Sequence, residues 1–231
     1  MVSAIIVAAG KGTRMNYSMR KQYLLLAGKP ILGHTLEIFI RCDEIEEIIL
    51  VVPEEDFDFC KRKILLPLKL QKRVNLVSGG QERQESVYSG LMAMAAGDKE
   101  GLVVIHDGVR PFVYFEQVLE CIKGAKEFGA CIVGIPVYET LKHVNHSGYT
   151  DKTIERDTIW LAQTPQAFQN SLIIKAHEIA RQKGYTCTDD AQLVERMGKK
   201  VKIIRGSRNN IKITNREDLE LARAILQARV E

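Results

Sequence analysis

The chain has 231 residues, 45% hydrophobic and 27% charged, with 33 Lys and Arg against 29 Asp and Glu for a formal net charge of +4. A domain of this length buries roughly 70–75% of its unfolded surface without staples, and no apolar run approaches the ~18 residues that cross a bilayer. Acidic and basic residues are interspersed, without the basic face or aromatic platform of a nucleic-acid binder, so the small excess reads as cations gathered around an anionic small molecule.

Cys42, Cys60, Cys121, Cys131 and Cys187 are odd in number, widely spaced and without a CxxC pair, which indicates neither a disulfide framework nor a zinc site. Residues 2–8 are apolar but follow Met1 with no basic segment and run into a glycine turn, so the chain reads as soluble and cytoplasmic.

The opening run, Val2 to Val7, predicts a strand that leads directly into Ala8-Ala9-Gly10-Lys11-Gly12-Thr13-Arg14. Small residues at a strand end let the backbone turn sharply and aim unpaired N–H groups at an anion, while Lys11, Arg14 and Lys21 bring positive charge. That combination predicts a polyphosphate site. GxxxxGK[ST] is absent and Met15 stands where GxGxxG needs its third glycine, which disfavours a P-loop kinase or a dinucleotide dehydrogenase. Taken alone, the segment also reads as a tight strand-to-helix connection with solvated cations.

Further apolar runs at Ile48 to Val52, Val74 to Val77, Leu102 to Ile105, Cys131 to Ile135 and Val201 to Ile204 predict strands buried on both faces. Helical patterns lie at Ile31 to Ile40, Phe57 to Leu66, Val87 to Ala96, Phe115 to Phe128, Leu172 to Lys183 and Leu219 to Val230. The alternation predicts an α/β fold: a single Rossmann-like, three-layer domain over residues 1–231 with a mainly parallel sheet. Such sheets bind ligands beyond the carboxyl ends of their strands, and the loops there read AAGKGTR, SGGQER, HDGVRP and PVYETLK.

In the SGGQER loop, Gly79 and Gly80 permit close approach of a planar base to the backbone, with Arg83 beside them and Ser86 near the start of the next helix; singly, this is an ordinary glycine turn. In the HDGVRP loop, Asp107 could hold a metal ion or a ribose hydroxyl and Arg110 could grip an anion bidentately, or the two could satisfy each other. His106, after an apolar run, reads as a core histidine in place of a base.

Residues 137–160 break the pattern. Thr140 to Val144 and Thr150 to Trp160 flank the turn signal Asn145-His146-Ser147-Gly148, as the two arms of a long β-hairpin. A hairpin without its own core rarely stands alone, so this arm is expected to pack against a second subunit in a homodimer. His143 and His146 have no further ligands nearby and read as solvated. The spacing of Thr140, Arg156, Thr164, Thr188 and Lys212 carries no signal by itself. After Asn210-Ile211-Lys212-Ile213-Thr214, Asn215 reads as the N-cap of a final helix with Asp218 at its third position.

Seven motifs in order, AAGKGTRM at 8–15, KQYL at 21–24, GGQERQES at 79–86, HDGVRPF at 106–112, TPQAF at 164–168, TDDA at 188–191 and NIKIT at 210–214, span nearly the whole chain. In these motifs the sequence resembles the 2-C-methyl-D-erythritol 4-phosphate cytidylyltransferases of the non-mevalonate isoprenoid pathway. The resemblance implies an enzyme in which the acceptor's 4-phosphate attacks the α-phosphate of CTP, releasing pyrophosphate and forming 4-diphosphocytidyl-2-C-methyl-D-erythritol without a general base. It implies Mg²⁺ held mainly by the CTP phosphates.

By the same resemblance, Ala8, Ala9, Gly10, Lys11 and Gly12 cradle the triphosphate, while Arg14 and Lys21 stabilise charge at the α-phosphate. Gly79, Gly80 and Ser86 enclose the cytosine with Arg83 supporting their loop, Asp107 serves the ribose or the acceptor, and Lys212 the phosphates. The acceptor falls to Arg110, Thr140 and Thr188, with Arg156 and Thr164 reaching in from the partner subunit's arm, which makes Arg14, Lys21, Arg156 and Lys212 the catalytic set. Gly108 and Glu139 depart from the usual pattern, where alanine and aspartate are commoner. Ribitol-5-phosphate cytidylyltransferases resemble the chain at HDGVRPF and TPQ, and a CTP-binding module without turnover is a third reading. Ala8-Ala9-Gly10 and Asn210-Ile211-Lys212 favour the first, and the pair Arg14 and Lys21 counts against the third.

Overall fold

The computed structural model describes residues 1–10, 19–68, 72–94 and 100–228. Among these residues the strands are β1 (Val2–Val7), β2 (Leu25–Leu26), β3 (Lys29–Pro30), β4 (Glu47–Val52), β5 (Arg73–Ser78), β6 (Leu102–Asp107), β7 (Ala130–Pro136), β8 (Leu141–Val144), β9 (Thr150–Ile154), β10 (Trp160–Gln169) and β11 (Lys202–Arg205). The helices are α1 (Ile31–Ile40), α2 (Phe57–Phe59), α3 (Arg83–Ala93), α4 (Phe115–Phe128), α5 (Asn170–Lys183), α6 (Asp190–Glu195) and α7 (Arg216–Gln227). Seven strands form the main sheet in the order β11-β7-β10-β6-β1-β4-β5, and β2-β3 and β8-β9 are separate antiparallel pairs.

Within the apolar runs, alternate residues point to opposite faces. Ile5, Ile49, Val51, Val103 and Ile105 pack with Val87 and Leu91 of α3, Ile173 of α5 and Leu193 of α6. Ala4, Ile6, Ile48, Leu50 and Val104 pack with Leu36 and Phe39 of α1 and Val118 and Ile122 of α4. Helices therefore cover both faces, giving the three layers that the alternation predicts. The outer strands β5 and β11 are only partly buried, because each is paired on one side.

Four expectations need correction. The helix expected at Phe57 to Leu66 is instead a 3₁₀ turn at Glu54–Asp56, the short α2 and a π-helical turn at Cys60–Leu65, ahead of Pro67. The expected helix from Val87 to Ala96 begins at Arg83, where the capping box of Glu82 and Glu85 opens it. The second hairpin arm stops at Ile154, and Trp160 opens β10 in the main sheet. β10 itself and α6 carry no signal in the apolar pattern. β10 reads WLAQTPQAFQ, without Val or Ile, and its pairing with β7 shifts between Ala162 and Gln166, around the Pro165 that cannot donate to a ladder. The final helix follows its N-cap signal: Asp218 N–H donates to Asn215 Oδ1 at 2.8 Å and Asn215 N–H to Asp218 Oδ2 at 3.1 Å.

All pairings in the main sheet are parallel except those of β10, which runs antiparallel between β6 and β7. From β1 the chain passes to β4 and β5 on one side and then to β6 on the other, so the order reverses between β1 and β6. Open α/β sheets bind ligands beyond the strand ends at such a reversal. Val7 and Asp107, the last residues of β1 and β6, lie side by side in register there. Because β10 is antiparallel, its beginning, with Gln163 and Thr164, reaches the same rim. Among the described residues no helix is long and apolar enough to cross a membrane.

Candidate active site

The first wall of the site is the exit of β1. Ala8 N–H donates to Val51 O at 2.8 Å, continuing the sheet by one bond. Gln22, 1% exposed, turns its Nε2 to Ala8 O at 2.7 Å and Gly10 O at 3.3 Å. These bonds fix the described part of the glycine turn through its carbonyls.

The loop after β5 forms the second wall. A Cβ on Gly79 would stand 2.2 Å from Ala9 Cβ and 2.9 Å from Ser86 Oγ, so the two walls meet only because residue 79 has no side chain. Gly80 N–H donates to Ser86 Oγ at 3.1 Å, and that hydroxyl donates to Glu82 O at 3.1 Å. The Glu85 carboxylate accepts Gln81 N–H at 2.8 Å and Glu82 N–H at 3.3 Å, the reciprocal arrangement that opens α3. Ser86 thus lines the site with its hydroxyl already engaged in shaping the loop.

Asp107 stands at the floor, 6% exposed. Its Oδ1 accepts Arg83 Nε at 3.0 Å, and its Oδ2 pairs with Lys212 Nζ at 3.0 Å and Arg110 Nε at 3.4 Å. Burial alone would raise the Asp107 pKa, but Arg83, Lys212 and Arg110 overcome it and hold the carboxyl well below the usual range. Arg83 continues to Asp190, donating Nη1 to Oδ2 at 2.7 Å. Burial would lower the Arg83 pKa, and Asp190 and Asp107 more than reverse that, keeping it charged. Burial likewise opposes the charge on Asp190, and Arg83 and His177 bring its carboxyl below the ordinary value.

Between these walls lies a cleft lined by Ala8, Ala9, Gly10, Lys21, Gln22, Gly80, Arg83, Ser86, Asp107 and Lys212. Lys21 enters on the 3₁₀ turn Lys21–Tyr23, which Tyr23 anchors through a 2.9 Å bond from its hydroxyl to Asp56 Oδ2. Cations, a glycine-built wall and one carboxylate at a strand-order reversal can hold a nucleotide polyphosphate and stabilise charge that develops on it.

Most of the sequence-derived residues meet in or against this cleft, and three do not. Thr140 and Arg156 lie exposed at the base of the hairpin, with the Arg156 guanidinium on the Tyr138 carbonyl. Thr188 is exposed ahead of α6, where its N–H donates to Gln192 Oε1 at 3.0 Å. Lys11, Gly12 and Arg14 lie outside the described residues.

One placement is corrected. Thr164 lies on β10 and not on the arm: it is 4% exposed, its Oγ1 accepts Asp107 N–H at 3.1 Å and stands 3.0 Å from His106 Nδ1. It braces the floor of its own subunit's site. Arg110 donates Nη1 to Asn210 O at 2.7 Å besides its contact to Asp107, which holds its guanidinium at the rim of the cleft. His106 is the core histidine the sequence indicates: it is fully buried, its ring centroid lies 4.8 Å from that of Phe39, and burial pushes its pKa down to about 4.

Sequence reasoning assigned no role to Gln22, Gln166, His177, Asp190 or Asn210. Four of them sit inside the motifs KQYL, TPQAF, TDDA and NIKIT, but their roles come from partners distant in sequence. Asn210, fully buried, donates Nδ2 to Thr164 O at 2.8 Å and so ties the last motif to the floor.

A family model described as 2-C-methyl-D-erythritol 4-phosphate cytidylyltransferase matches residues 2–228. The chain belongs to this cytidylyltransferase family. A cytidylyltransferase of that name from Geobacillus kaustophilus strain HTA426 is 48% identical over 228 residues, covering 98% of this chain and 97% of its own. Another, from Caldanaerobacter subterraneus subsp. tengcongensis, is 44% identical and covers 98% of this chain and 99% of its own. The crystal structure of 4-diphosphocytidyl-2C-methyl-D-erythritol synthase from Anaerococcus prevotii DSM 20548 matches with a TM-score of 0.86 at 38% identity, over 98% of this chain and 96% of that one. The mixed seven-stranded sheet with its cleft between β1 and β6 is thus the architecture of a cytidylyltransferase.

Proposed function

We propose that the protein transfers a cytidylyl group from CTP to 2-C-methyl-D-erythritol 4-phosphate, giving 4-diphosphocytidyl-2-C-methyl-D-erythritol and pyrophosphate. The observation that carries this reading is the convergence of Lys21, Arg83 and Lys212 on one cleft beside the Gly79–Gly80 wall, in a chain of this family. An oxygen of the acceptor's phosphate attacks the α-phosphorus of CTP, the bond to the β-phosphate bridging oxygen breaks, and pyrophosphate leaves with the electron pair. A phosphomonoester is already ionised near neutral pH, so no side chain has to remove a proton. The task left to the protein is to hold the groups in line and offset negative charge on the phosphate oxygens.

In this reading Lys21, with Arg14, serves the α-phosphate and Lys212 the phosphate chain. The turn at Ala8, Ala9 and Gly10 carries the triphosphate, and the base lies against Gly79 and Gly80. Asp107 is held charged and oriented by three cations for the ribose or the acceptor. Its oxygens are already shared in this way, which fits Mg²⁺ that arrives on the nucleotide and keeps phosphate oxygens and water as its ligands. Such an ion adds charge neutralisation on the phosphates. The β8–β9 hairpin serves as a dimerisation arm; Arg110, Thr140, Thr164 and Thr188 take the acceptor, and Arg156 reaches in from the partner subunit's arm to complete the acceptor site. The setting of this reaction is the cytoplasm.

The test is pyrophosphate release with CTP and Mg²⁺ in three parallel reactions, with methylerythritol phosphate, with ribitol 5-phosphate and with no acceptor. Release dependent on methylerythritol phosphate is expected. Release that follows ribitol 5-phosphate instead, or CTP binding without turnover on either alcohol, contradicts the proposal.

A further inference from the structure

Arg83 spans two carboxylates that belong to different elements: Nε reaches Asp107 at the end of β6, and Nη1 reaches Asp190 at the start of α6. A guanidinium is planar and rigid, so contacts at Nε and Nη1 together fix its orientation, where one contact would leave it free to turn. Besides Arg83, Asp190 is held by two further partners. Its N–H donates to Gln166 Oε1 at 3.1 Å, its Oδ1 lies 3.3 Å from His177 Nε2, and only 1% of the residue is exposed. A carboxylate only accepts, so His177 Nε2 is the protonated nitrogen. Among the described residues Arg83 is the side chain on Asp107 Oδ1, while Lys212 and Arg110 hold Oδ2. The rotation of the Asp107 carboxylate therefore depends on where Asp190 keeps Arg83.

We propose that Asp190, supported by His177 and Gln166, is a positioning residue for nucleotide binding: it acts through Arg83 to set the orientation of Asp107 at the floor of the cleft. The proposal rests on the cytidylyl-transfer reading. Asp190 lies behind Arg83, and of Gln166, His177, Asp190, Arg83 and Asp107 the last two line the cleft itself. The proposal takes Asp107 as the ribose contact of that reading, so loss of the Asp190 charge should loosen the nucleotide side and leave the acceptor side nearly unchanged.

The experiment compares the full chain with Asp190→Asn, His177→Leu and His177→Gln, each confirmed folded by thermal melting, in steady-state assays varying CTP and acceptor separately. Asp190→Asn is expected to raise KM for CTP about tenfold, the scale of removing a hydrogen bond to a buried charge, with KM for the acceptor within twofold of wild type. His177→Leu should shift KM for CTP in the same direction. His177→Gln, which places an amide donor near the Nε2 position, should restore at least half of that loss; a purely structural role would not produce this split. If Asp190→Asn does not fold, the two His177 variants decide the matter. A KM for CTP within twofold of wild type, or KM values for CTP and acceptor that rise together, overturns the proposal. Should wild type release no pyrophosphate with any acceptor, the transfer reading fails on its own. Calorimetric CTP dissociation constants for the same variants then decide the positioning role, with the same tenfold weakening supporting it and wild-type affinity, or no CTP binding at all, overturning it.

Discussion

The Thr164 hydroxyl accepts the backbone N–H of Asp107 at 3.1 Å and lies 3.0 Å from His106 Nδ1, so the one antiparallel strand of the sheet supports the carboxylate floor from below. Thr164→Val keeps the shape and removes the hydroxyl, leaving a buried N–H and a ring nitrogen without partners. Urea denaturation should show a loss of about 1–3 kcal/mol, and Thr164→Ser should retain most of the stability. A valine variant as stable as wild type would show that this bond does not brace the floor.

Gly79 is where the two walls touch. An added methyl falls 2.2 Å from Ala9 Cβ, closer than real carbon contacts allow, so Gly79→Ala must push the loops apart. A destabilisation of about 1–3 kcal/mol is expected, as for overpacked interiors, together with a raised KM for CTP. Thermal melts and initial rates check both, and normal values in both assays would mean the loops are not held together.

Acid stability should report the buried imidazole. His106 titrates near 6.5 when unfolded, and burial pushes it down to about 4 in the fold. Its neutral form therefore stabilises the protein fully above pH 6.5, and that contribution, up to about 3 kcal/mol, is lost as the pH falls toward 4. Asp107 and Asp190, held below their ordinary values, contribute above the usual carboxylate range and lose their share only in stronger acid. Urea midpoints measured at pH 7.5, 5.5 and 4.5 should decline in that order. A midpoint unchanged to pH 4.5 would contradict the burial of a neutral His106.

Much of this was legible because the apolar runs and the loops after them state where a parallel sheet ends. Val2–Val7, followed by small residues, places the first wall, and Leu102–Asp107 places the floor. α4 falls at the predicted Phe115 to Phe128, where Gly129 adopts a φ of 84° and stops the helix. β10 was hidden because its residues are chosen for bonds to the rim rather than for apolar pairing: Gln163, Thr164 and Gln166 are each buried and hydrogen-bonded. Asp190 reaches Arg83 across about a hundred residues of sequence and His177 pairs with Asp190 from another helix, so no local pattern marks these contacts. Thr164 was misplaced for the same reason: its motif marks it, but only the antiparallel return of the chain shows that it faces inward beneath Asp107.

The cationic contribution is tested at Lys21. Lys21→Ala should lower kcat by about two to three orders of magnitude, on the scale of removing one preorganised donor to developing charge, while CTP affinity changes less. Arg14→Ala is expected to behave in the same way. Steady-state kinetics with unchanged kcat would remove either residue from the transfer step.

The hairpin prediction concerns assembly. Arg156→Ala should raise KM for the acceptor with CTP binding intact. Sedimentation of the active protein should show a dimer. A fully active monomer would defeat the cross-subunit acceptor site and leave the nucleotide site unaffected.

The most direct measurement is a crystal structure with bound CTP. The triphosphate is expected along Ala8 to Gly10 with Lys21 and Lys212 in ion-pair contact with its oxygens, and the cytosine against Gly79 and Gly80. A nucleotide bound elsewhere, or one whose phosphates stand clear of both lysines, would contradict the cytidylyl-transfer site described above.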